Sequence, residues 1–204
     1  MTTTEPTRPA IATELQAWLE GEGDKTLSGL IDVFKHKSFA ILFVLLLGLP
    51  ALPLPTGGAT HVFDVIASLL ALQLIAGRDH IWLPERWRRM ELAGKAQARF
   101  IAGLLRLIRF LERFSRPRLT FLFNHRLSNA VFGLLVIGGS VAAFVAPPFS
   151  GLDTLPALGV VVLALGVLLE DVLVATAGIA LGAAGVVLEV VLGTAAIHGL
   201  SSLL

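Results

Sequence analysis

The chain has 204 residues, of which 55% are hydrophobic and only 15% are charged, with a formal net charge of +1. Soluble domains carry roughly 25% charged residues, and the mean hydropathy here is +0.80, so a water-exposed surface would contain large apolar patches. The composition therefore predicts a membrane protein. The absence of cysteine excludes disulfides, thiolate metal ligands and cysteine nucleophiles. The histidines are scattered, and we predict neither a metal site nor a cofactor.

Residues 1–37 form a polar, acidic N-terminal region. We expect no secretory signal, because the first apolar run begins only near Phe39. An apolar pattern with helical spacing, which includes Leu15, Trp18 and Leu30, predicts one or two short helices. These helices would lie on the membrane or on the protein itself.

Five apolar segments follow, at 38–54, 62–76, 130–146, 155–169 and 172–192. A perpendicular span needs about 20 residues. The first four segments are short, at roughly 15–17 residues, and only the last is a comfortable transmembrane helix. The region 172–204 is therefore predicted to be a C-terminal transmembrane helix followed by an apolar tail that is too short to cross alone.

The four short segments form two pairs, and each pair meets at a tip rich in proline and glycine. Six of the ten prolines lie in these two tips, and a shift of 93 residues places Pro55 on Pro148 and Gly58 on Gly151. This pattern predicts two repeated helical hairpins, at 38–78 and 130–171, each broken by Pro and Gly. Two unrelated hairpins are the alternative.

The connector at 79–129 is basic. The stretch from Arg78 to Arg126 holds 12 of the 16 Lys and Arg residues against four acids. Within 95–114 one side of the predicted helix is apolar, carrying Phe100, Ile101, Leu104, Leu105, Leu107, Ile108, Leu111 and Phe114. Arginines lie on or beside the other side, as is typical of a helix in the interface of an anionic lipid leaflet. The alternative is a solvated helix packed on its own protein, and the apolar face argues against nucleic acid.

Positive charge near the ends of spans predicts topology, because it remains cytoplasmic. Lys35 and Lys37 precede the first hairpin, Arg78 follows it, and Arg126 precedes the second. We therefore predict a multi-pass protein of the bacterial inner membrane with a cytoplasmic N-terminus and a cytoplasmic connector. No Lys or Arg follows Arg126, which predicts a periplasmic C-terminus.

Six short motifs are informative through their order and spacing along the chain. They lie at 43–55, 70–78, 82–84, 116–119, 154–158 and 163–171. In this order they resemble the bacterial ExoD family of exopolysaccharide-synthesis proteins, from about Gly29 to the C-terminus. The second tip departs from the family pattern, with Pro147-Pro148-Phe149 in place of Pro-x-Pro. The resemblance implies an inner-membrane protein connected with exopolysaccharide production, with that machinery as a partner. It supplies no reaction and no catalytic residues.

Polar residues inside apolar segments are costly and are therefore candidates for function. The candidate ligand-binding residues are Thr60, Asp64, Gln73, Arg78, Asp153 and Thr154. Thr60 and Thr154 suit helix N-caps, and N-termini that point into the tips would attract an anion. Alternatively, Asp64 and Asp153 favour their helix N-termini electrostatically, and Gln73 forms an interhelix hydrogen bond.

Four further features are polar residues or a pattern of small residues. Glu170 and Asp171 suit a wet turn between spans, while Glu189 is isolated in the last segment and His198 in the tail. The GxxxG pattern at Gly178 predicts close helix packing, either within the chain or across a homodimer.

The leading hypothesis is a small transporter or permease with its site between the two hairpin tips. Its solute would be an anionic solute or a lipid-linked phosphate. The alternative is a non-transporting scaffold or regulator of an exopolysaccharide synthesis or export complex. We expect no enzyme, because no catalytic triad, P-loop or nucleotide fingerprint is present.

Overall fold

A computed structural model describes residues 11–21, 25–34, 37–48, 50–52, 61–78, 80–89, 95–115, 125–146 and 151–201. In these ranges the regular structure consists of helices. In chain order they are α1 (Ile11–Glu20), α2 (Leu27–Phe34), α3 (Ser38–Gly48), α4 (His61–Ile75), α5 (Glu85–Arg88), α6 (Lys95–Phe114), α7 (Arg126–Val145), α8 (Thr154–Leu169) and α9 (Val172–Ser201). The predicted all-α fold class is confirmed.

The helix boundaries follow the apolar segments, with two differences. α3 ends at Gly48 rather than at 54, and beyond it the Ala51 N–H donates to the Leu47 carbonyl at 3.0 Å. The apolar tail belongs to α9, which runs for 30 residues to Ser201. α7 and the 24-residue stretch Val172–Ala195 are long and apolar enough to cross a membrane, whereas α3, α4 and α8 are shorter.

The described residues divide into two compact units, and the first combines parts of Met1–Ser38 and Leu83–Arg116. In it α1 packs on α6, and α2 packs on α1 and α5. The buried side chains of α6 are Ile101, Leu104 and Ile108. The backbone N–H of Ala12 donates to Glu112 Oε1 at 3.1 Å, which satisfies one of the free donors at the start of α1.

The second unit comprises described residues of Phe39–Trp82 and Pro117–Leu204. Its helices α4, α7, α8 and α9 pack in chain order, each on the next. α4 and α7 are antiparallel, because Gly133 meets Ile75 near the end of α4 while Phe144 meets His61 at its start. Phe43 of α3 packs edge-on against Phe132 of α7, with ring centroids 5.4 Å apart.

The tightest contact in this unit is a seam of small residues between α8 and α9. A Cβ on Gly159 would lie 2.4 Å from the Gly182 Cα, and one on Gly178 would lie 2.3 Å from the Leu163 backbone nitrogen. Such distances admit only hydrogen. The GxxxG pattern therefore packs within the chain, against α8.

Candidate functional site

Asp64 is the most constrained polar residue of the second unit. It lies in the first turn of α4 and is 2% exposed. Its Oδ2 is 3.5 Å from His61 Nδ1, the neighbour that helical spacing provides one turn earlier. Its Oδ1 is buried and has no hydrogen-bond partner within the described part of the chain. A buried carboxylate with one unsatisfied oxygen is costly, so Asp64 is a candidate for function.

His61 is the residue that the sequence analysis missed, because histidines were considered there only as metal ligands. Its ring packs against Phe144 of α7, with centroids 5.0 Å apart. About a quarter of its side chain is exposed, at 24%, while Nδ1 is buried. The imidazole thus has one protected nitrogen beside Asp64 and a partly accessible ring.

Two more carboxylates approach from α8 and α9. Asp153 lies at the N-cap position of α8 but its side chain makes no capping hydrogen bond. Gly185 of α9 faces Leu155 and Pro156 of α8, so Glu189, one turn further along α9, stands at the level of Asp153. Glu189 Oε2 is buried without a partner among the residues described. Three acids from three helices therefore share one end of the bundle.

Ser140 of α7 is the fourth contributor. It is 1% exposed, and its Oγ has no partner in the described ranges. It lies one turn before Phe144, which touches His61, so the antiparallel register of α4 and α7 places Ser140 at the level of the Asp64 turn. We name His61, Asp64, Ser140, Asp153 and Glu189 the polar cluster.

The structure separates the remaining predicted site residues from this cluster. Gln73 lies nine residues beyond Asp64, about 13 Å along the helix axis, and it binds a loop rather than another helix. Its Nε2 donates to the Trp82 carbonyl at 3.0 Å, and its Oε1 accepts from the Trp82 N–H at 2.7 Å. Arg78 follows Gly77, which has a φ of +69°, and is exposed. Gln73 and Arg78 therefore lie apart from Asp64 in the structure, and their role in ligand binding stays a prediction.

The predictions for the two threonines have different outcomes. Thr154 is the first helical residue of α8, and the N-cap position belongs to Asp153 instead. Thr154 is half-buried beside the cluster. Thr60 lies outside the described residues. The same holds for the rest of 53–60 and for 147–150, so the meeting of the two tips remains a prediction.

Asp171 is not part of a wet turn. It is buried, 2% exposed, and its Oδ1 accepts from the Leu173 N–H at 2.9 Å. The preceding Glu170 has a φ of 56°, and the Asp171 N–H donates to the Gly166 carbonyl at 2.9 Å. This left-handed ending satisfies the last carbonyls of α8, and Asp171 begins α9. No group of three metal-ligating side chains occurs among the described residues.

Long apolar helices with exposed faces, joined around buried polar side chains, define an α-helical membrane protein. The family model described as "Exopolysaccharide synthesis, ExoD" matches residues 11–191. The chain therefore belongs to the ExoD family, as the sequence motifs predicted, and this family is linked to exopolysaccharide synthesis.

Two relatives agree with this assignment. The chain is 32% identical over 172 residues to Protein ExoD of Rhizobium meliloti, which covers 84% of this chain and 71% of that protein. It is 36% identical over 153 residues to an uncharacterized protein of Synechocystis sp., which covers 74% of this chain and 71% of that protein. No solved structure matches the chain.

Proposed function

We propose that this protein is a small inner-membrane transporter that serves exopolysaccharide synthesis and works at the polar cluster. The observation that carries the proposal is the buried Asp64, whose Oδ1 has no partner among the described residues, at the same end of the bundle as Asp153 and Glu189. Ionisable residues inside apolar helices are expensive and are kept for transport or proton transfer. Asp64 and Asp153 stand where α4 and α8 begin, at the ends that follow the Pro/Gly tips, as in transporters with broken helices.

The charges at the polar cluster restrict which solutes it could bind. Helix N-termini attract anions, whereas the acids of the cluster repel them. An anionic solute or lipid-linked phosphate therefore requires a positive charge to arrive at the cluster with it. We further propose a multi-pass topology with a cytoplasmic N-terminus, supported by the basic residues between Arg78 and Arg126.

A lipid-scrambling experiment tests the transporter. The full-length protein is reconstituted into vesicles that contain a fluorescent polyprenyl phosphate, and external dithionite bleaches the label in the outer leaflet. We expect label from the inner leaflet to become accessible with the wild type and to remain protected with Asp153→Asn. The control is Glu85→Gln, which alters an exposed acid of the first unit. Equal bleaching in protein-free vesicles would remove the lipid-linked phosphate from consideration.

A scaffold is the second candidate, and one surface favours it. α6 leaves Leu107, Phe110 and Phe114 exposed, and its arginines Arg106 and Arg113 are exposed beside them. This face could hold an anionic leaflet, or a component of an exopolysaccharide synthesis complex. On the scaffold proposal, substitutions on α6 abolish exopolysaccharide secretion while Asp153→Asn leaves it unchanged.

A further inference from the structure

We propose that His61 and Asp64 form a proton-binding pair: Asp64 takes up and releases a proton during the working cycle, and His61 exchanges it with the exterior. This inference rests on the proposed function, because it names the ion that accompanies the solute. The observation that carries it is that His61 Nδ1 lies 3.5 Å from Oδ2 of Asp64. Asp64 is 2% exposed, and its Oδ1 has no hydrogen-bond partner among the described residues.

Comparison with Asp171 shows why Asp64 is suited to gaining and losing a proton. Both carboxylates are 2% exposed. Asp171 Oδ1 accepts the Leu173 N–H at 2.9 Å, so a fixed donor satisfies that oxygen. Asp64 Oδ1 has no donor among the described residues, so no fixed hydrogen bond holds that oxygen in the charged state. A proton on Asp64 would remove the cost of a buried charge without breaking an existing hydrogen bond.

The surroundings of Asp64 also favour a proton that comes and goes. On α4 itself His61 is the titratable neighbour. α8 contributes Asp153, and α9 contributes Glu189 at the same level as Asp153. α7 presents Ser140 and Phe144 at this level, while its Arg126 lies against Gly77 at the other end of α4. Among these residues the acids outnumber the single imidazole, so each bound proton relieves repulsion.

The transfer step needs no further reactant. When His61 is protonated, its Nδ1–H bond breaks as an O–H bond forms on Asp64 Oδ2, and both groups become neutral. The reverse step restores the imidazolium and the carboxylate. The ring is partly exposed, at 24%, so the histidine exchanges its proton with solvent, which Asp64 itself does not reach. Histidine suits this role because its ordinary pKa of about 6.5 lies near working pH.

Infrared spectroscopy of the full-length protein in lipid nanodiscs tests the pair directly. Buried protonated carboxyl groups give a carbonyl band separate from those of carboxylates and amides. We expect a pH titration of the wild type to show such a band appearing and disappearing, and Asp64→Asn to lack it. In His61→Gln the band should persist but titrate over a different pH range, since the neighbouring imidazolium charge is gone.

Asp171→Asn is the matched control. It alters an equally buried aspartate whose replacement still accepts the Leu173 N–H, and the band should remain. Circular dichroism and a single elution peak establish that each variant is folded. A wild type without the band, a band that survives Asp64→Asn, or an unchanged titration in His61→Gln would each overturn the proton pair.

These outcomes are separable from the fate of the transporter proposal. If the band behaves as expected while scrambling of polyprenyl phosphate equals that of protein-free vesicles, the proton pair stands and the lipid-linked solute is wrong. If scrambling requires the protein but no carboxyl band titrates, the transporter stands and the proton pair is wrong.

Discussion

Two buried aspartates show how position decides what one residue type does. Asp171 follows a left-handed helix end and accepts the N–H of Leu173 in the first turn of α9, so its carboxylate contributes to stability. Asp64 lies within the first turn of α4, where its Oδ1 finds no donor in the described part of the chain. Its carboxylate therefore opposes stability.

Opposite stability changes follow for the two positions. Asp171→Ala removes the cap and should lower the free energy of unfolding by about 1 kcal/mol. Asp64→Asn removes a poorly compensated buried charge and should raise the thermal midpoint in detergent while abolishing transport, a trade-off common at functional sites. Thermal unfolding of both variants beside the wild type measures this. A lower midpoint for Asp64→Asn would mean that the carboxylate has a stabilising partner.

Physical reasons explain which features of the candidate site the sequence could and could not predict. Asp64 and Asp153 stand at helix starts that the apolar segments defined, so their proximity was within reach of the sequence. The partner of Gln73 could not be predicted, because it is the backbone of Trp82 and no pattern of side chains encodes a contact with a loop. His61 and Ser140 join the polar cluster through the register of α4 against α7. Hydropathy does not predict that register.

At the scale of helices, α8 and α9 depend on the absence of side chains. A Cβ at Gly159 would lie 2.4 Å from the Gly182 backbone, so the helices would have to separate. Gly159→Ala should therefore destabilise the protein by roughly 1–3 kcal/mol, the range for overpacking. Gly138 on α7 meets nothing within 4 Å, and Gly138→Ala should be neutral or mildly stabilising. Thermal unfolding in detergent distinguishes the two, and equal midpoints would contradict the seam.

α6 satisfies parts of both interpretations of its sequence. Its Ile101, Leu104 and Ile108 are buried within the first unit, as expected for a helix packed on its own protein. Phe110 and Phe114 remain 58% and 70% exposed, with ring centroids 5.2 Å apart. The apolar face of α6 is wider than the surface that α1 covers. Hydropathy alone could not predict which of its residues are buried and which are exposed.

The exposed part of α6 should enter a lipid leaflet. The chain has no native cysteine, so a spin label can be placed on Phe110→Cys alone in nanodiscs with anionic lipid. Its relaxation should respond to oxygen more than to a water-soluble nickel complex, because Leu107, Phe110 and Phe114 would lie among acyl chains. Ala102→Cys, an exposed position toward the arginines, should show the opposite preference. Two labels with the same aqueous profile would refute lipid contact.

For the whole molecule, the predicted topology can be tested with the same cysteine-free background. Ala102→Cys lies within the basic stretch, whose charge should hold it in the cytoplasm. We expect an impermeant maleimide to label this cysteine in opened cells but not in intact ones. Strong labelling from outside would reverse the orientation of the N-terminal half.

The repeat is the whole-molecule prediction that coordinates can decide. α3 and α4 flank one tip, and α7 and α8 flank the other. The helices of the second hairpin are longer, at 20 and 16 residues against 11 and 15. Superposing 39–78 on 132–171 should align helix, break and helix in one order, and a mismatch in that order would leave two unrelated hairpins.

The short turn between α8 and α9 has a consequence for how the protein is made. Only Glu170 and Asp171 separate the two helices. The contact between the helices extends from Gly166 of α8, near the turn, to Gly185 of α9. At these glycines no side chain would cover the backbone from lipid. During synthesis α8 therefore acquires its contact surface only when α9 has left the ribosome, and the two would leave the translocon as a pair. A ribosome stalled within α9 would release a hairpin with exposed backbone, which membrane proteases should remove faster than the finished chain.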